Sequence, residues 1–260
     1  MSMKTLFRKT YLAATASLIC LLAGTTVNAQ SDPTASTSSF DSVYVVSLPH
    51  IMVDDMHLYD TLDIMLNSGN VQLAGFELKF GAPGRLFDIV EVLPGELCDS
   101  CNWEMFNAKR IDTQSKTGFP SIMYKVVAIA KVLPDSTRKS CFGLGRPVSL
   151  ARLVVTNEYA HETPDTTLPL YFIWEDCTDN TISGIDGNTL FLSYRTVDLV
   201  PNSFDTTGNP FPSVRGAPRN CIKPGGPNVP KRAIEFRNGG IEFKLNLMKG
   251  DSGQKVEGTD

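Results

Sequence analysis

The sequence predicts an all-β protein, a two-sheet antiparallel β-sandwich that ends in a C-terminal β-hairpin. Three observations predict it. Between residues 42 and 200, short apolar runs of strand length recur between turn residues. Several of these runs alternate apolar with polar side chains, the period of half-buried strands. No segment carries an apolar stripe at helical spacing, so a sheet has only another sheet against which to bury its apolar face.

The chain opens with a leader. Lys4, Arg8 and Lys9 precede an apolar run from Tyr11 to Gly24, and Val27-Asn28-Ala29 offers a small-residue cleavage site, so residues 1–29 are expected to be a secretory signal cut after Ala29. Cys20 is not read as a lipidation site, because Ile19 stands where that machinery meets a small residue. The destination is then outside the cytoplasm: periplasm, cell surface or medium. Residues 30–41 form a Ser/Thr-rich lead-in with little to bury.

The sandwich is expected over residues 42–200. Its strands are read at Val43 to Ser47, Asp60 to Leu66, Val71 to Phe80, Leu86 to Val92, Trp103 to Ile111, Ile122 to Val132, Leu150 to Thr156, Leu168 to Trp174 and Thr189 to Tyr194. Leu62, Ile64 and Leu66 share one parity, as do Phe76, Leu78 and Phe80. Val71 and Leu73 have the opposite parity to Phe76, which places a β-bulge at Ala74-Gly75. Leu168 to Trp174 is apolar on both parities and reads as a central strand covered on both faces. Residues 201–230, with seven prolines and four glycines, should wander over the surface. In residues 231–247, Ala233 to Phe236 and Ile241 to Phe243 flank Arg237-Asn238-Gly239-Gly240, and Asn-Gly supplies the positive φ angles of a tight turn, hence the hairpin. Residues 248–260 read as a polar, disordered tail.

The composition excludes several functions. A net charge of −4 with scattered basic residues leaves no footprint for nucleic acid or anionic lipid. The only histidines are His50, His57 and His161, and no nucleophile elbow, zinc-protease helix or phosphate loop occurs, so no catalytic residues are assigned and the chain reads as a non-enzyme. The mature chain keeps Cys98, Cys101, Cys141, Cys177 and Cys221, which in an exported protein more often pair than bind metal. Cys177 with Cys221 would pin the Pro-rich segment. Cys141 would then pair with Cys98 or Cys101, and the sequence leaves that choice open. Cys98-Asp-Ser-Cys101 imitates a redox motif, but Pro94-Gly95 reads as a turn where thioredoxin-type chemistry needs a helix.

Two ligand readings compete with ordinary structure. Asp176, Asp179, Asn180, Asp186 and Asn188 could offer oxygens to calcium, although such residues also favour plain turns, so no cofactor is assigned. Trp103, Phe106, Tyr124, Tyr171, Trp174 and Tyr194 could stack on sugars, although core packing is their commoner use; Trp103, just after a turn, is the candidate ligand contact.

Asp60 to Ser68, Gln72 to Phe80 with its Ala74-Gly75-Phe76 signature, Phe87 to Val92 and Pro94-Gly95 resemble the opening of cohesin domains, and Leu150-Ala-Arg-Leu-Val-Val155 resembles the strand that opens a cohesin's closing half. Trp103 to Phe106, Phe172 to Ser183, Asp186 to Phe191 and Ala233 to Ile241 are similar to cohesin-like proteins of environmental bacteria, whose members often continue into a dockerin repeat; here no calcium loop of that kind is present. The resemblance implies a jelly-roll sandwich that grips a dockerin-type protein partner through one sheet face. A carbohydrate-binding module and a structural surface protein without a ligand are the alternatives.

Overall fold

Residues 44–53, 59–67, 72–82, 88–112, 122–131, 140–156, 167–200, 215–221 and 230–243 are described by the structure, a computed structural model. The expected signal with its Ala29 cleavage point, the lead-in and the tail lie outside these residues, as do His57 and His161.

Alternating side chains place most strands: β1 (Tyr44–Ser47), β2 (His50–Val53), β3 (Tyr59–Asn67), β4 (Gly75–Ala82), β5 (Asp88–Pro94), β6 (Met105–Asp112), β7 (Ile122–Ile129), β8 (Val148–Thr156), β9 (Thr167–Phe172), β10 (Thr181–Ser183), β11 (Leu190–Asp198) and β12 (Lys231–Phe243). One layer runs β5-β8-β3-β1-β12-β11. In the other, β2 and β9 flank the second half of β12, and β9 and β10 both pair with β4, followed by β7 and β6. Tyr44, Val46, Ile64, Leu66, Leu153 and Ile234 from the first layer meet Leu78, Phe80, Val126, Leu170 and Phe172 from the second in one core. At its centre Phe236 stands edge-on to Phe172, with ring centroids 4.8 Å apart, and to Trp174, at 5.3 Å. β9 is central, between β12 and β4, and buried on both faces.

The expected hairpin is corrected. Residues 231–243 form one continuous strand that passes from the first layer to the second, and neither Asn238 nor the glycines after it has positive φ. The glycines serve close approach instead. A Cβ on Gly239 would lie 2.0 Å from the Pro49 carbonyl oxygen, and one on Gly240 2.9 Å from that of Leu168. Asn238, fully buried, accepts from the Phe172 amide at 2.8 Å and donates to Asp198 at 2.7 Å, pinning the crossing point.

Wholly antiparallel pairing is also corrected, since β12 lies parallel to β1, β11 and β2. Parallel neighbours need a long crossover connection, and the Pro-rich segment supplies it between β11 and β12. Its described part carries a 3-10 turn, Arg219–Cys221, and is held by Arg232, which donates to the carbonyls of Ser193, Ala217 and Pro218.

A five-residue helix, α1 (Glu96–Ser100), occupies the segment expected to be helix-free. Gly95 before it leaves no room for a side chain, because a Cβ would sit 2.4 Å from the Ser149 carbonyl oxygen. The slip at Ala74-Gly75 is the start of β4 rather than a bulge: the Ala74 amide donates to Ser183 and only from Gly75 does the ladder to β7 run regularly. Bulges interrupt other ladders, at Ile64/Met65, around Val90 and around Tyr194.

Candidate functional site

Alternation on β4, β7 and β6 sends one set of side chains to the core and the other to the outer face of the second layer. The register stacks that outer set into rows: Gly75, Ile129 and Met105; Glu77, Val127 and Asn107; Lys79, Lys125 and Lys109; Gly81, Met123 and Ile111. Three lysines therefore cross the face side by side, each in a different setting.

Lys79 is only 4% exposed, sealed by the segment that joins β9 to β10. Its amide donates to Asn180 Oδ1 at 2.7 Å and its carbonyl accepts from Ile173. Its ammonium contacts Glu175 and lies 3.4 Å from Asp179 Oδ2. Lys125, half-buried, pairs with Glu77 at 2.7 Å and stands 3.8 Å from Asp179 Oδ1. Burial works against its charge, but the hydrogen bond to Glu77 and the nearby carboxylates outweigh it and hold its pKa above the usual value. Lys109 is exposed and makes no ion pair among the described residues.

Beside Lys109 the face is open and apolar. Met105 is 38% and Ile129 45% exposed, and a groove of 520 Å³ runs along β6 and β7 between Met105, Val127, Lys125 and Ile111. At the other end Ile111 packs on buried Met123, Tyr171 and Ile173, which form a small apolar cluster separate from the main core.

The structure brings together only some of the residues singled out in the sequence. Cys177 is bridged to Cys221 and Cys141 to Cys101, with Cα atoms 5.3 and 4.7 Å apart. Cys98 is a free, buried thiol inside α1, pushed up to about 12 by burial first and by Asp99 second. A motif whose second cysteine is bridged elsewhere and whose first stays protonated has no redox cycle.

Trp103, the candidate ligand contact, is neither fully open nor buried. Half-buried, it packs on the core, its ring tilted against Phe76 at 5.5 Å and its N–H donating to the Cys141 carbonyl at 3.0 Å. Tyr124, Tyr171 and Trp174 are buried, and Tyr194, 57% exposed, stands on β11, so these aromatics do not share a platform.

The acidic residues weighed for calcium engage local donors. Asp176 accepts from Thr178 and the Asp179 amide, and Asp186 from the amides of Asn188 and Thr189 and the Thr189 hydroxyl. Hydrogen bonds from Thr178 and Thr189 are the leading cause that holds Asp176 and Asp186 below the usual carboxylate range. Among the described residues no three His, Cys, Asp or Glu side chains converge as metal ligands.

No family model and no curated protein matches the chain. Its fold is similar to that of cohesins. A non-cellulosomal cohesin from the archaeon Archaeoglobus fulgidus is 12% identical at a TM-score of 0.40, covering 77% of this chain and 91% of that one. A chain of a type I cohesin-dockerin complex from Clostridium thermocellum is 10% identical at 0.42, covering 77% and 99%. The seventh ScaB type I cohesin from Pseudobacteroides cellulosolvens is 10% identical at 0.41, covering 84% and 98%.

Proposed function

We propose that this chain is an exported, non-catalytic binding module that docks a protein partner on the outer face of β4, β7 and β6. The observation that carries the proposal is the apolar patch of exposed Met105 and Ile129, continued by half-buried Val127 in the neighbouring row, beside a groove that Lys109 also lines. A contiguous apolar strip rimmed by charge is what a docking surface leaves uncovered in the free protein. The partner it fits offers an apolar ridge with a carboxylate placed for Lys109. A polysaccharide would call for flat aromatic rings, and the outward side chains on these three strands are aliphatic, amide or charged. Export is supported by the leader and by two disulfides, which persist in oxidising compartments. The dockerin-type identity of the partner rests on the sequence resemblance.

Met105 and Ile129 are exposed, so Met105→Asp with Ile129→Asp should leave the melting temperature within a degree or two while weakening binding about tenfold or more. The measurement is retention of proteins from the organism's own secreted and envelope fractions on wild-type and double-variant chains, with insoluble polysaccharides in parallel. A dockerin-bearing protein held by the wild type and lost with the variant is the expected result. Equal retention by both, or capture by polysaccharide alone, would overturn the proposal.

A further inference from the structure

We infer that Lys79 and Asp179 are placed to join through an intramolecular amide, a covalent strap between β4 and the segment leading into β10. The inference does not rest on the docking proposal, although Lys125 borders both sites; it rests on what surrounds the Asp179 carboxyl, which is fully buried.

Oδ2 of Asp179 accepts two backbone N–H groups, from Glu175 at 2.7 Å and Asp176 at 3.0 Å. Two fixed donors on one oxygen are the arrangement that stabilises negative charge as a carbonyl is attacked. The nucleophile is alongside: Lys79 Nζ lies 3.4 Å from that oxygen, on a side chain 6% exposed and locked at its backbone by Asn180 and Ile173. The other oxygen, Oδ1, accepts no hydrogen bond among the described residues and stands 3.8 Å from the Lys125 ammonium. It is the oxygen free to leave, next to a proton donor. Glu175 touches Nζ and is 42% exposed, so it can take a proton from the ammonium and exchange it with solvent. Lys79 and Asp179 are themselves buried, so the reacting atoms face little competition from water.

The step balances without any co-reactant. A bond forms between Lys79 Nζ and Asp179 Cγ while the bond from Cγ to Oδ1 breaks. Of the three ammonium protons one stays on the amide nitrogen, and the other two depart with Oδ1 as water, relayed by Glu175 and Lys125. Oδ2 becomes the amide oxygen and keeps both backbone hydrogen bonds, so the product fits the site that the carboxylate occupied.

Mass spectrometry of the purified full chain, reduced and denatured, with its N-terminus read by sequencing, tests the inference. The expected mass is one water, about 18 Da, below that of the sequence, with a tryptic map joining the Lys79 and Asp179 peptides. Lys79→Arg, which keeps the charge, should regain the full mass. A wild-type chain at full sequence mass overturns the inference, as does a loss of water that maps elsewhere or persists in the Lys79→Arg variant.

Discussion

Glu235 shows how a charge is carried on the outer face of the first layer. It is 4% exposed on the central strand β12, and Arg237 and Arg195 both donate to it. Burial pushes its carboxyl up, but the hydrogen bonds and charges of the two arginines outweigh it, so the folded pKa lies below the ordinary value. A carboxyl lowered by folding binds protons more readily in the unfolded chain. The stability it contributes is therefore complete above the unfolded value of about 4.3 and disappears as pH falls through the lower folded value. Glu235→Gln removes this linkage. The melting-temperature gap between wild type and variant should be widest at neutral pH and close as pH drops below about 4. A gap that stays constant on acidification would show that the carboxylate's charge contributes nothing and that only its shape is used.

At the scale of the element, the crossing point of β12 carries the clearest lesson. Asn238-Gly239-Gly240 has the composition of a turn because a turn and a close backbone approach both ask for a residue without a side chain, and sequence pattern alone does not separate the two. Gly239→Ala does. In a turn of positive φ it would strain the backbone; here it would drive a methyl group into the Pro49 carbonyl and push β12 away from the connection between β1 and β2. The expected loss is ~1–3 kcal/mol or more, read as a lower denaturant midpoint, with the Leu48 and Gly240 amides, both bonded across this approach, losing protection from exchange. Unchanged protection there would contradict the close approach. By the same reasoning β3 and β4 are legible because one parity is buried, with Leu62, Ile64, Leu66 and then Phe76, Leu78, Phe80 inside. The helix α1 is not, since one turn burying only Leu97 and Cys98 offers no period to detect. β2 and β10, at four and three residues, are likewise too short to show alternation. Of the proposed docking face, Met105 and Ile129 lie within expected strands, but which parity faces outward depends on the register with β4, and that register is a property of the folded sheet.

At the scale of the whole molecule, β12 makes the sandwich a single cooperative object. It is flanked by β1 and β11 in one layer and by β2 and β9 in the other, so the last of the described strands touches strands drawn from the first quarter of the chain and from its second half. An appended hairpin could be cut away and leave residues 42–200 folded. A central strand cannot, because its removal strips β1 and β11 of their shared neighbour, opens Phe172 and Trp174 where Phe236 had covered them, and leaves β2 with no partner among the described strands. A chain ending at Val229 should therefore fail to fold at all. It is expected to bind a dye specific for exposed apolar surface and to lose the dispersed amide spectrum of the full chain. Adding residues 230–247 back as a separate peptide should restore part of that dispersion, since the long-range pairing they provide is what the remaining strands lack. A truncated chain with native-like dispersion and a sharp thermal transition would place the folding unit within residues 1–229 and remove β12 from the core of the fold.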